Sequence, residues 1–338
     1  MAVKSSLHLL ISFFLGFILA VYVTTYTNVT SEIISWSAKQ MVTSKYNTDI
    51  PDAMHISHNI SFSSDTLQHT GDVPLSTHLR KEVRVLIWVM TSPNNLHVKA
   101  KAVKETWARH GDLVLFFSSE DNKTFPAIGL NVSEGRDHLT AKTMKAFRYI
   151  YENHFNDADW FMKVDDDTYV VLENLRYFLS GENSSEPVYF GHLFEYEKVH
   201  RYFSGGAGYV MSKEALRIFG DNADRVNCSK DLGGEDVEMA FCMKKLGVRT
   251  GTSLDVLGRS RFHCLNPEAH VNGHYGQWYL DRESHGAKKG IENISDYAVS
   301  FHYVSPSNMY TLEFLIYHMR PYGIMLELQN LNNKTTVV

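Results

Sequence analysis

Cysteine is scarce. Three residues, Cys228, Cys242 and Cys264, serve a chain of 338, which excludes a scaffold held by a dense disulfide framework. The odd count leaves at least one thiol free or paired between chains. Excess positive charge is missing too. The 33 Lys and Arg against 38 Asp and Glu give a net charge of −5, so there is no basic footprint for nucleic acid. The 17 His are scattered and form no metal-binding tract. No internal repeat is visible, which excludes solenoids and propellers.

What is present is an ordinary globular composition, 44% hydrophobic, enough to bury a core. The N-terminus carries an address. Lys4 precedes an apolar run from Leu7 to Val23 that lacks Asp, Glu, Lys and Arg. The run suits a signal anchor over 7–25, with 1–6 on the cytoplasmic side by the positive-inside rule. A cleaved signal peptide is the alternative, and both deliver the rest to the secretory lumen. Sequons at Asn28, Asn59, Asn122, Asn131, Asn183, Asn227, Asn293 and Asn333 fit that side of the membrane. A lumenal setting permits disulfides. A Cys228–Cys242 bridge is the expected pairing, with three buried free thiols as the alternative. Residues 26–81 are rich in Ser, Thr, Asn and His and read as a stem. The polar tail over 325–338 reads as frayed.

Between them, residues 82–324 alternate strand and helix patterns. Val83–Thr91, Leu113–Phe117, Asp159–Val164, Val188–Gly191, Ala207–Met211 and Tyr297–Ser300 read as strands. Leu96–His110, His138–Phe155, Leu172–Leu179, Lys213–Phe219 and Val237–Leu246 have helical spacing. The alternation predicts an α/β domain with a mostly parallel sheet.

Chemistry concentrates at Asp165-Asp166-Asp167, directly after the apolar run Trp160-Phe161-Met162-Lys163-Val164. Carboxylates packed this closely repel unless a cation sits among them, and hard oxygen ligands suit Mg²⁺ or Mn²⁺. Ligands of parallel α/β sheets bind beyond the carboxyl ends of the strands. The pattern points to a metal–diphosphate site, against a solvated acidic turn as the plain alternative. His302, near the end of an expected strand, is a candidate third ligand or a structural histidine. Gly205-Gly206-Ala207-Gly208 reads as a packing turn or as a wall of a substrate pocket; it lacks the strand-then-helix setting of a dinucleotide fingerprint. Glu235-Asp236-Val237-Glu238 opens a helix, where acids favour the dipole or where one supplies a general base. Trp278 is a candidate sugar-stacking surface or a core residue. Arg136-Asp137 reads as a nucleotide contact or as charge at a helix start.

Taken together and in order, these segments resemble the core 1 β1,3-galactosyltransferases, within the β1,3-glycosyltransferase family that includes Fringe-like enzymes. The resemblance is carried by Val83 to Thr91, Glu134-Gly135-Arg136-Asp137, Ala158 to Tyr169 and Val188-Tyr189-Phe190-Gly191. It continues through Ser204 to Ala215, Glu235-Asp236-Val237-Glu238, Ser300-Phe301-His302-Tyr303-Val304 and Leu315 to Gly323. It implies a GT-A type, Rossmann-like sheet and a single-pass type II Golgi membrane enzyme with a lumenal catalytic domain. The implied reaction passes galactose from UDP-galactose to O3 of GalNAc on a glycoprotein, with inversion. By position it implies Mn²⁺ on Asp165, Asp167 and His302, and Asp236 as base. Met90, Arg136, Asp137, Asp165, Asp166 and Tyr303 would line the nucleotide pocket, with Trp278 and Tyr303 toward the acceptor. A homodimer is a further expectation.

The chain departs from the family pattern as a diverged paralogue would. Ile87 and His110 stand where the family usually has a bridged cysteine pair. Asn293-Ile294 replace a second pair, and Leu280 replaces an aromatic after Trp278-Tyr279. The alternatives are a β1,3-transferase with another donor or acceptor, a non-catalytic chaperone-like relative, and a lectin-like binding module.

Overall fold

The computed structural model describes residues 73–319 apart from 197–199, 229–230, 232–233 and 285–287. The expected anchor, most of the stem and the polar tail lie outside the described residues, among which no helix is long and apolar enough to cross a membrane. A helix over Val73–Glu82 (α1) falls within the stretch read as stem.

The central strand is dictated by its residues. β1, Val85–Met90, is six apolar residues, all buried. Its alternation sends Val85, Ile87 and Val89 to one core cluster and Leu86, Trp88 and Met90 to the other. A strand apolar on both faces belongs in the middle of a sheet covered on both sides. β1 accordingly pairs in parallel with β2 (Leu113–Ser118) and β4 (Trp160–Asp165). β3 (Ala127–Gly129) extends the edge beyond β2.

On the other side of β4 the order continues through β9 (Tyr209–Ser212), β6 (Val188–Gly191) and β10 (Arg249–Thr250), giving seven strands. The sheet is mostly parallel, as the alternating pattern predicts. β9 is the reversed strand, antiparallel to both β4 and β6. A hairpin of β7 (Leu193–Tyr196) and β8 (His200–Phe203) separates β6 from β9 in the chain, and an antiparallel return needs no crossover helix.

Helices α3 (Leu139–His154), α5 (Lys213–Asn222) and α6 (Glu235–Lys245) cover the Trp88 face through Phe147, Ile150, Leu216, Phe219, Met239 and Met243. Helix α4 (Leu172–Leu179) covers the other through Leu172, Leu175 and Leu179. The expected helix over Leu96–His110 is broken. A π turn at Leu96–Ala100 leads into a short α2 (Lys101–Glu105), and a 3-10 turn follows at Trp107–His110. Val98, expected on its buried face, is 58% exposed. The strand expected over Tyr297–Ser300 forms at Ser300–Phe301 instead.

A second sheet of three strands positions chemistry. β5 (Tyr169–Val170) leaves the acidic turn and pairs antiparallel with β12 (Ser300–Phe301), which pairs in parallel with β11 (Phe262–His263). The register sets Phe301 opposite Tyr169, so the next residue, His302, falls beside the turn. Cys228 and Cys242 form the expected disulfide, and Cys264 is a buried free thiol. Of the described sequons, Asn131, Asn183 and Asn227 are exposed, whereas Asn293 is buried.

His110 does not leave a hole where the resemblance expects a bridge. It stacks on Tyr317 at 4.0 Å and contacts Glu313 Oε1 at 2.9 Å. Glu313, fully buried in α9 (Pro306–Glu313; α7 is Pro267–Asn272 and α8 Gln277–Arg282), also accepts from Arg109 and Tyr169. Burial pushes its pKa up, but His110, Tyr169 and Arg109 outweigh that and hold it below the ordinary value. A carboxylate so depressed stabilises the fold fully above its unfolded pKa, and the contribution is lost as pH falls through the folded value. Glu313→Gln should therefore cost about 1–3 kcal/mol at pH 7 and much less at pH 3. Thermal melts of both proteins at the two pH values check this; an equal difference at both excludes the charge as its source.

Candidate metal and catalytic site

The three aspartates diverge as the chain turns off β4. The strand's alternation puts Phe161, Lys163 and Asp165 on one face. The turn is pinned by Asp166 N donating to Met90 O at 3.1 Å and Thr168 N donating to Asp165 O at 3.1 Å. Asp166 turns inward and accepts from Thr91 Oγ1 at 2.8 Å and Asn95 Nδ2 at 2.9 Å. Burial and the neighbouring Asp167 push its pKa up to about 6 against the pull of Lys99, Thr91 and Asn95. Asp166 thus braces the loop, rather than joining the other two.

Asp165, Asp167 and His302 converge, each offering one ligand atom, with those atoms within 4.8 Å of one another. His302 Nε2 lies 3.1 Å from Asp167 Oδ1 and 3.7 Å from Asp165 Oδ2. The far oxygen of each carboxylate is occupied by a lysine. Lys163 Nζ donates to Asp165 Oδ1 at 2.6 Å, and Lys99 Nζ donates to Asp167 Oδ2 at 2.9 Å. Each aspartate is therefore oriented with its free edge toward the imidazole. Burial alone would raise the Asp167 pKa, but His302 and Lys99 together hold it well below the ordinary carboxylate value.

The glycine loop closes the cluster from the other side. A Cβ at Gly206 would sit 2.1 Å from His302 Cε1, and one at Gly205 would sit 2.5 Å from Glu235 Oε2. Only glycine allows both approaches. Thr168 Oγ1 donates to Gly206 O at 2.7 Å and ties this loop to the acidic turn. Gly205 N in turn donates to Asp236 Oδ2 at 3.3 Å. Asp236 is half-buried in the first turn of α6. Burial raises its pKa, opposed by the Gly205 N–H and the Lys163 charge. Glu235 is not a solvated helix-start acid. It is buried and bonded to Tyr209 OH at 2.7 Å and Lys163 at 3.4 Å.

Met90 is buried and in register with Asp165. Tyr303 is 53% exposed, has φ +54°, and places its ring 3.9 Å from that of His302. Arg136 is exposed and near enough for its charge to act on Tyr303, whereas Asp137 stands exposed at the same turn with no contact to the cluster. Trp278 is half-buried, edge-on to Phe194 at 6.1 Å, and is not drawn into the cluster. Reading by sequence missed Lys99, Lys163, Thr91, Asn95 and Tyr209. Lys163 did leave a signal: a lone charge in a buried strand, two residues before Asp165 and so on its face. A cavity of about 160 Å³ lined by His192, Arg201, Ser253, Ser260, Glu283 and Asn293 lies apart from the cluster residues, none of which lines it.

A carboxylate and imidazole cluster at the carboxyl edge of a mostly parallel α/β sheet has the donor set to hold a divalent cation. Residues 80–269 match the family described as Fringe-like, and the chain belongs to that family. It is a glycosyltransferase related to the core 1 β1,3-galactosyltransferases. It is 44% identical over 262 residues to glycoprotein-N-acetylgalactosamine 3-beta-galactosyltransferase 1 of Xenopus laevis, across 76% of this chain and 73% of that protein. A human beta-1,3-glucosyltransferase is 24% identical over 254 residues, across 74% of this chain and 48% of its own length. Among solved structures, the catalytic domain of Drosophila beta1,4galactosyltransferase 7 is 13% identical, with a TM-score of 0.34, covering 65% of this chain and 92% of that one.

Gly206→Ala should push the His302 ring away and lower Mn²⁺ affinity at least tenfold with the fold retained. Calorimetric titration with circular dichroism checks this, and unchanged affinity removes His302 from the ligand set.

Proposed function

We propose that this enzyme transfers galactose from UDP-galactose to O3 of a GalNAc α-linked to Ser or Thr of a glycoprotein, inverting the anomeric centre. The observation that carries the reading is the convergence of Asp165, Asp167 and His302 beside Asp236 across the Gly205-Gly206 loop. The resemblance to a galactosyltransferase of that acceptor class supports the choice of sugars.

The residues present fit Mn²⁺. Two carboxylates and an imidazole form its accustomed donor set, and their ligand atoms lie within 4.8 Å of one another. Asp165, Asp167 and His302 would hold it. Bound there, Mn²⁺ supplies Lewis acidity toward a diphosphate.

The rest of the chemistry belongs to side chains. Asp236 takes the proton of the acceptor O3 while the O3–C1 bond forms. The C1–oxygen bond to the diphosphate breaks, and its electron pair leaves with UDP. A single displacement of this kind needs one positioned base. The Gly205 N–H aims that carboxylate, and its burial keeps it basic. Met90, Arg136, Asp137 and Asp166 belong to the nucleotide side in this reading, Trp278 to the acceptor side, and Tyr303 to both. The exposed Tyr303 ring beside His302 suits stacking on a sugar face. The same reading places the enzyme in the Golgi membrane, single-pass and type II, with its catalytic domain lumenal, and allows a homodimer.

A donor and acceptor screen with the lumenal domain tests this directly: no turnover of UDP-galactose on a GalNAc-peptide in Mn²⁺ overturns it. Asp236→Asn should lower transfer at least a thousandfold and leave Mn²⁺–UDP binding within about threefold, whereas Asp167→Ala should weaken nucleotide binding itself. Asp236 must be ionised to accept a proton. Its raised pKa means that kcat/KM should fall on the acid side with a midpoint above the ordinary 3.8. A profile flat through that range removes Asp236 from the role.

A further inference from the structure

Lys163 is a cation inside the sheet. Its side chain is 2% exposed, on the face of β4 otherwise lined by Phe161 and the apolar cluster around Tyr209 and Met211. An ammonium there survives only if its partners are fixed. It has three: Asp165 Oδ1 at 2.6 Å, the carbonyl of Gly205 at 3.1 Å and Glu235 Oε2 at 3.4 Å. These lie at the end of the strand that carries Asp165, on the loop that abuts His302, and on the helix that carries Asp236.

The consequence is geometric. Asp165 has two oxygens, and Lys163 takes one, so the other faces His302. Glu235 cannot rotate away, because Tyr209 OH holds Oε1 while Lys163 faces Oε2. Asp236 follows Glu235 in the same turn, and its own Oδ2 is set by Gly205 N, whose residue Lys163 also grips through the carbonyl.

We propose that Lys163 is a positioning residue: a buried ionic strut that presents Asp165 to the divalent cation and, through Glu235 and Gly205, fixes Asp236 at the acceptor side. The inference rests on the metal and base roles proposed above. Lys163 is enclosed by these protein partners and acts through them. It sets the relation between two halves of the site that come from distant parts of the chain.

The test separates positioning from folding. Lys163→Met alone strands Glu235 as a buried, unpaired acid and should lower the melting temperature. Adding Glu235→Gln removes that acid while keeping the Tyr209 hydrogen bond, and should restore much of the melting temperature. Mn²⁺ affinity by calorimetry should nevertheless stay at least tenfold weaker in the double variant than in wild type. Glu235→Gln alone leaves the Lys163–Asp165 pair. It should keep Mn²⁺ affinity within threefold while kcat falls at least tenfold. A double variant that binds Mn²⁺ like wild type overturns the strut, as does a Glu235→Gln enzyme with unchanged kcat. Wild-type protein that binds no Mn²⁺ overturns this inference and the metal reading together. Wild-type binding and turnover with unmoved variants overturn this inference alone.

Discussion

Five carboxylates, those of Asp165, Asp166, Asp167, Glu235 and Asp236, crowd one edge of the sheet, with the ammonium groups of Lys99 and Lys163 set among them. Charge of one sign at such density must be neutralised, protonated or bridged. The fold answers each acid differently. Asp166 has hydroxyl and amide donors and a raised pKa. Glu235 has a lysine and a tyrosine. Asp236 has backbone N–H groups. Asp165 and Asp167 each have one oxygen taken by a lysine and the other turned toward a histidine. The deficit left after these arrangements is localised on that last pair, and a localised deficit is what a divalent cation binds.

The same requirement shapes the backbone. The antiparallel β9 follows the loop Ser204 to Gly208, so the glycines arrive at the end of β4 where the acids emerge. The short β5–β12 pairing then delivers His302 from about 135 residues later in the chain. Both segments are held by hydrogen bonds, Thr168 to Gly206, Ser300 to Ala207 and Val304 N to Asp167 O, so the cluster is assembled by the fold itself. Such pre-organisation matters because binding energy is not then spent on ordering the ligands.

How much of this was legible in the residues depends on range. β1, β4, α3 and α4 follow from local periodicity and appear within a few residues of where the pattern puts them. The acidic turn announced itself by composition alone. Glu235 did not, because a glutamate at a helix start has an ordinary local explanation, and Lys163 marked its face of β4 without naming its partner. Their pairing spans 72 residues. The segment from Leu96 to His110 carries helical spacing, yet it passes through three hydrogen-bond patterns. Lys99 and Asn95 are spent on Asp166 and Asp167, and Trp107 Nε1 on the Thr168 carbonyl. Tertiary demands of the acidic turn override a regular helix there.

Where the chain departs from the family pattern near Trp278, the surroundings are packed. His263, His270 and Tyr279 are fully buried, Cys264 nearly so, and Asn293 is buried beside the Ser260 strand contact. His263 stacks on Phe301 at 4.6 Å and its carbonyl accepts from His302 N at 3.0 Å. A change at His263 therefore reaches His302 through that hydrogen bond. Leu280 packs against the same core, next to Trp278 and Tyr279. An aromatic there would compete for the space that sets Trp278 against Phe194. Ile87 and His110, also departures from the family pattern, lie elsewhere, in the central strand and against Glu313. The ionic apparatus at the end of β4 keeps the residues the resemblance rests on. Selectivity can drift in such an enzyme while the bond-making chemistry stays fixed.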